Sequence, residues 1–187
     1  MTMDTSQTTT KSSQDILEKF DRESITRNPS KQTVRWLIAA IAIFYSLFHL
    51  YMTFYPVPTL ILRSVHVAVG AALIFLVYPP AKKSSRSHIV WFDWLWVAAA
   101  ISSMGYIIWQ YQNIMTVRGG IPNNTDIVMA ILTVIVVLES ARRITGWVLP
   151  IFALIFLSYP FYSHMSFVPD RLATRFYDLG DIFGQLY

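Results

Sequence analysis

The chain of 187 residues is 54% hydrophobic and only 14% charged, whereas an average soluble domain is roughly 45–50% apolar and about 25% charged. It contains no cysteine, which excludes disulfide frameworks, thiolate metal sites and cysteine nucleophiles. Its net charge of +4 would hint at nucleic acid in a soluble protein, but in a membrane protein charge has to be read by position. We therefore expect an all-α membrane protein without a nucleic-acid partner.

The chain begins with a polar region that precedes the first apolar run. Residues 1–13 are rich in Thr and Ser and are predicted to be disordered. Residues 14–35 carry charges of alternating sign, interrupted by apolar residues, which is typical of a short amphipathic helix at the cytoplasmic membrane surface. The interrupting residues are Ile16, Leu17, Phe20 and Ile25.

Five apolar stretches follow and predict a transmembrane domain over 36–162, a bundle of four or five helices. Their expected bounds are 36–55, 59–78, 89–111, 127–143 and 146–162. A single helix over 127–162 would rise about 54 Å, far more than the hydrocarbon core of about 30 Å, so it has to break. The two arginines that precede Gly146 place the break there.

The positions of Lys and Arg predict the orientation of the spans. With a cytoplasmic amino terminus and five spans, eleven of these residues lie inside and four outside. An arrangement of four spans, in which 127–143 is re-entrant from the outer side, gives the same numbers of Lys and Arg inside and outside. We favour five because a re-entrant segment needs protein around it. Residues 163–187 then form an extracytoplasmic tail or a linker to a further domain.

Ionisable residues inside apolar runs are candidates for function because a charge in a membrane is costly. Glu139 precedes Arg142 and Arg143 by three and four residues, so the cluster forms either an intrahelical ion pair or a docking site for another membrane subunit. We take these three residues and Trp147 as candidates for a subunit interface.

Three further features of the apolar runs have a structural and a functional interpretation. Arg63 and His66 lie one helical turn apart. They are either side chains that snorkel to the membrane interface or a proton relay. Asp93 lies among three tryptophans. It belongs either to an aromatic belt at the inner membrane interface or to a proton relay. Small residues over 68–72 predict a helix-packing seam within the chain rather than a partner interface.

Catalytic patterns are nearly absent from the sequence. The four histidines lie on different segments without metal-ligand spacing. The seven glycines form no phosphate-binding loop, which excludes ATP-driven pumping by this chain. We expect neither an enzyme nor a bound metal or cofactor.

Two sequence motifs resemble a known transporter family. Residues 137–150, VLESARRITGWVLP, resemble the small-subunit part of fused permeases of tripartite ATP-independent periplasmic (TRAP) transporters, TAXI subgroup. Residues 18–27, EKFDRESITR, resemble the subgroup's amino-terminal KYDKESNTR pattern, with Phe for Tyr, Arg for Lys and Ile for Asn. The motifs are separated by a hydropathy profile that is similar to that of the family.

The resemblance implies a small scaffold subunit or domain of a secondary transporter in the bacterial inner membrane. In that family an extracytoplasmic binding protein captures an organic acid, and a large membrane subunit carries it, coupled to a sodium or proton gradient. Substrate and ion residues belong to the large subunit, so none is assigned here. The chain is then either a separate small subunit or the leading piece of a fused permease.

The resemblance also implies an outer surface on which the binding protein docks. The candidate docking residues are Arg118, Asn123, Asn124, Asp126, Asp170, Arg171 and Arg175. The alternative function is a stand-alone membrane protein: a small proton-linked exporter that uses Asp93 and Glu139, or a membrane assembly factor.

Overall fold

The computed structural model describes residues 25–81, 84, 86–163, 177 and 180–182, and every long element in these ranges is helical. The helices are α1 Gln32–Phe54, α2 Thr59–Val77, α3 Trp91–Gln112, α4 Asn124–Thr145 and α5 Val148–Tyr162. One turn of π-helix, Asn113–Val117, extends α3. The predicted disordered tail and most of the predicted carboxyl-terminal tail lie outside the described residues.

Three of these helices are long and apolar enough to cross a membrane: α1, α2 and α3 with its extension, Trp91–Val117. Helix α4 has an uncharged stretch over 127–138 only, which rises about 18 Å. Helix α5 is apolar but has 15 residues, or about 22 Å. The prediction of an all-α chain with several apolar helices is therefore confirmed, and the three long helices are compatible with a multi-pass membrane protein.

The boundaries of α4 follow from local chemistry at both of its ends. The predicted break occurs at Gly146, whose φ of 85° is open to glycine and whose N–H donates to the Arg142 carbonyl at 3.0 Å. The N-cap of α4 is Asn123, whose side-chain oxygen accepts the Asp126 N–H at 2.8 Å.

The core lies between α2 and α3, with α4 packed against both. Small residues let the two backbones approach: Ala71 and Ala72 of α2 and Ala100 of α3 are buried beside Phe75. The predicted packing seam over 68–72 is therefore confirmed. On its other side a Cβ added to Gly70 would lie 3.5 Å from Tyr45 Oη of α1.

The peripheral helices keep most of their apolar surface exposed. Helix α1 has no buried residue, and Pro150 is the only residue of α5 that is buried. Large side chains such as Phe54 and Val148 are more than 70% exposed. Exposed apolar surface of this extent is suited to contact with lipid or with another membrane protein.

Residues 25–31 are not helical, although they belong to the segment predicted as an amphipathic helix. Their backbone pairs with the end of α2 and with the chain that follows it: the Arg27 N–H donates to the Val77 carbonyl at 2.8 Å, and the Ser30 N–H to the Ser87 carbonyl at 2.9 Å. Helix formation is lost here because these external acceptors replace the local i−4 carbonyls. Residues 14–24 of that predicted helix lie outside the described residues.

Candidate functional site

The centre of the candidate site is Asp93, in the first turn of α3. Its Oδ2 accepts the Val90 N–H at 3.3 Å, so the carboxylate satisfies a backbone donor at the helix N-terminus. The helix dipole also favours a negative charge there. The residue is fully buried, with 0% exposure.

Two arginines from distant parts of the chain pair with this carboxylate. Arg27 Nη2 lies 2.5 Å from Asp93 Oδ2, and Arg143 Nη1 lies 2.7 Å from Oδ1. All three side chains have 0% exposure. Each oxygen of Asp93 thus accepts a charge-assisted hydrogen bond from a separate arginine, which is among the stronger kinds of hydrogen bond in proteins.

The two arginines also bind the carboxyl-terminal end of α2. Arg27 Nη1 donates to the Phe75 carbonyl at 3.3 Å, and Arg143 Nη1 donates to the Tyr78 carbonyl at 3.2 Å. The Arg143 guanidinium lies 4.7 Å from the centre of the Phe75 ring, a cation–π distance. These contacts satisfy carbonyls at a helix end, which have no partner within the helix.

Glu139 links the buried Arg143 to Arg142, which lies closer to the surface of the bundle. Its carboxylate accepts from Arg143 Nε at 2.9 Å and from Arg142 Nε at 2.6 Å. Arg142 in turn donates to the Pro80 carbonyl at 3.1 Å and lies 5.3 Å from the centre of the exposed Trp147 ring. The intrahelical ion pair predicted for Glu139 is therefore confirmed.

The five charged residues form one cluster, which we call the arginine clamp. It consists of Arg27, Asp93, Glu139, Arg142 and Arg143. The clamp joins the non-helical segment 25–31 to the ends of α2, α3 and α4. Its three arginines exceed its two carboxylates by one charge. Its role is to stabilise the fold, because removing one partner of a buried ion pair would leave an uncompensated buried charge.

The clamp gives Asp93 partners that the sequence did not indicate. Asp93 is fully buried and paired, whereas two of the tryptophans around it, Trp91 and Trp94, are exposed. Arg27 belongs to the eleven Lys and Arg residues that the five-span prediction places inside. No periodic signal could identify it, because its partner lies 66 residues away.

A second polar cluster lies at the opposite end of the bundle, around Asp126. Arg118 forms an ion pair with this carboxylate, Tyr106 Oη donates to it at 2.8 Å, and the Asn123 N–H donates at 2.7 Å. Burial by itself would raise the pKa of Asp126, but the hydrogen bonds from Arg118 and the other donors outweigh burial and hold the pKa below its ordinary value. The hydrogen bond to Asp126 also raises the pKa of Arg118.

The predicted docking residues therefore differ in their surroundings. Asp126 is buried and serves as the N-terminal anchor of α4, and Arg118 is half-buried against it. Asn123 and Asn124 are exposed. Asp170, Arg171 and Arg175 lie outside the described residues.

A third polar cluster joins α1 to α2. Tyr45 Oη lies 2.7 Å from His66 Nδ1, and the same nitrogen lies 3.1 Å from His49 Nε2. The two imidazole rings pack edge to face with centres 5.0 Å apart. No group of three or more His, Cys, Asp or Glu residues in the described part of the chain is placed to hold a metal ion.

Comparison with protein-family models, with curated proteins and with solved structures found no match.

We expect Asp93→Asn to destabilise the fold by about 3–5 kcal/mol, because Arg27 and Arg143 would stay buried without their shared counter-charge. The measurement is the free energy of unfolding in mixed micelles titrated with dodecyl sulfate. Glu139→Gln is the matched control: its side chain is 14% exposed, so water replaces part of what is lost. A loss for Asp93→Asn no larger than that of the control would contradict the central role of Asp93.

We expect the Asp126 cluster to stabilise the fold at neutral pH and to lose this effect in acid. Because the folded-state pKa is lowered, the contribution is present above the ordinary carboxyl pKa and disappears as pH falls through the lowered value. Thermal unfolding midpoints of the wild type and Asp126→Asn should differ at neutral pH and converge in acid. Tyr106→Phe, which keeps the ion pair, should retain the pH dependence. A wild-type advantage that persists well below the carboxyl range would contradict this assignment.

Proposed function

We propose that the chain is the small scaffold subunit, or scaffold domain, of a TRAP-type secondary transporter of the TAXI subgroup. In this role it supports uptake of an organic acid by a large membrane partner, with the partner using a sodium or proton gradient. The observation that carries the proposal is the arginine clamp. Three of its members, Glu139, Arg142 and Arg143, belong to the motif that resembles the family, and they hold helix ends together.

The clamp supports a static role rather than ion movement. A group that carries protons or ions across a membrane has to exchange partners between two states. Both oxygens of Asp93 are instead bound to arginines that are themselves fully buried, and Glu139 is bound to two arginines. The same contacts weigh against the alternative of a small proton-linked exporter that uses these two carboxylates.

The peripheral helices support a role in assembly. Helices α1 and α5 present apolar side chains outward along most of their length, as expected of a scaffold that meets both lipid and a larger membrane partner. Trp147 lies beside the clamp, is 60% exposed and stacks against Arg142. We assign Trp147 to the partner interface because it is an exposed aromatic anchor whose neighbour is held rigidly.

The proposal includes a topology in the bacterial inner membrane. The amino terminus, with its predicted amphipathic helix, and the clamp lie on the cytoplasmic side, and α4 and α5 act as short fourth and fifth spans that need tilt or local thinning. The turn with Asn123 and Asn124 then faces outward, where a TAXI-type binding protein docks, together with Arg171 and Arg175. Arg118 and Asp126 shape this turn from beneath. The chain itself needs no cofactor in this role.

The topology predicts that residues after α5 are extracytoplasmic. We expect alkaline phosphatase fused after Tyr187 to be active, and green fluorescent protein fused at the same place to be dark, because phosphatase folds only outside the cytoplasm. Fusions in the loop 79–90 are the control and should give the opposite pair of results. A silent phosphatase with a bright fluorescent protein after Tyr187 would contradict five spans and favour four.

The scaffold role predicts a stoichiometric partner. A tagged chain purified from its native membrane in mild detergent should bring down a large polytopic membrane protein, and Trp147→Ala should weaken this association while leaving the chain folded. Trp109→Ala is the matched control, since Trp109 is 79% exposed at the opposite end of the bundle. A chain that purifies alone and moves protons or solutes by itself in liposomes would contradict the proposal and favour the exporter.

A further inference from the structure

A groove of about 660 Å³ opens on the side of the bundle where α2, α3, α4 and α5 meet. Its walls are mostly apolar and include Leu60, Val67, Met104, Ile107, Val137 and Leu157. The hydroxyls of Ser64 and Thr133, which also line it, donate to carbonyls of their own helices and are already satisfied. The groove is therefore a slot for an apolar group.

One end of the groove is polar. Arg63 lies four residues into α2, or about 6 Å from its start, and His66 lies about 10 Å from it. His49 reaches the same end from α1, five residues before that helix finishes. Along α4 the wall of the groove extends further from the polar end, as far as Leu138. The polar end is thus close to the α1–α2 turn, and the apolar part continues towards the middle of the bundle.

The polar end is positive. Arg63 is exposed and makes no ion pair with any residue that the structure describes, and none of the residues that line the groove is acidic. The imidazoles of His49 and His66 are within hydrogen-bond distance of each other, and His66 also contacts Tyr45. A cation at the mouth of an apolar slot is complementary to an amphiphile with an anionic head.

The charge of the groove favours a lipid over a transmembrane helix of a partner. The arginine at its polar end meets no acidic residue among those that line the groove, and a phosphate can supply the missing counter-charge. An acyl chain is one methylene wide and can enter between side chains. An acyl chain bound in the groove takes the place of mobile lipid against its apolar walls.

We propose that the groove binds one acyl chain of an anionic phospholipid, with the phosphate held by Arg63 beside His66. The bound lipid fills the space between α2 and α5, and it stabilises the position of α5 against the bundle. This site is independent of the clamp and of the transporter assignment, because it concerns the isolated chain and a lipid.

The test uses the full chain, purified in detergent and stripped of lipid, with phosphatidylglycerol or phosphatidylcholine added, and native mass spectrometry to count bound lipid. We expect phosphatidylglycerol to bind preferentially, and Arg63→Gln to weaken its binding about tenfold or more, as expected for loss of a charge-assisted hydrogen bond. Arg35→Gln is the control, because Arg35 is an exposed arginine near the start of α1, far from the groove. Equal binding of both lipids, or equal effects of both substitutions, would overturn the proposal.

A second pair of variants tests the slot. Val137→Trp places a bulky side chain in the groove and should displace the lipid, whereas Val128→Trp, on an exposed part of α4 outside the groove, should not. Unchanged lipid binding in Val137→Trp would show that the lipid binds elsewhere. If that variant kept its lipid but lost a copurifying membrane partner, the groove would be a protein interface and the lipid proposal would be wrong, whereas the scaffold proposal would stand.

Discussion

The burial of one carboxylate between two arginines constrains one whole end of this molecule. Asp93, Arg27 and Arg143 are each fully shielded from solvent, and charges so placed are tolerated only when they are paired and hydrogen-bonded. The non-helical segment 25–31 and the ends of α2, α3 and α4 must therefore meet in one arrangement. Three buried nitrogens, Arg27 Nε, Arg143 Nη2 and Trp96 Nε1, have no partner among the described residues, so this specificity has a cost in unsatisfied donors.

The opposite end of the bundle is built differently. There Asp126 holds the start of α4 through a capping box and an ion pair to Arg118, and beside the α1–α2 turn the groove is open and positively charged at Arg63. One end is closed by buried charges and the other offers surfaces to ligands. The proposed scaffold role uses this asymmetry, with a rigid end at the clamp and the end near Arg63 open to lipid and partners.

Local physics made much of the architecture predictable. Apolar runs identified the five long helices of the described residues, because a hydrophobic stretch and its breakers act over neighbouring residues. The break at Gly146, the small-residue seam over 68–72 and the pairing of Glu139 with the arginines three and four residues later are all local patterns. Each was therefore readable without knowledge of how the helices pack. The spacing of the motif around Glu139 likewise indicated Arg142 and Arg143 as its partners.

The sequence by itself thus determined the helical class, the order of the helices and the intrahelical ion pairs, since these depend on interactions within about one or two turns. Only the tertiary structure decided that Arg27 reaches Asp93 across 66 residues, that Arg143 reaches it across 50, and that residues 25–31 are not helical. The groove at Arg63 also exists only where four helices and His49 of α1 converge. Contacts between segments distant in the chain have no period and no fixed spacing, so a single sequence carries no signal that separates a buried arginine from one on the surface.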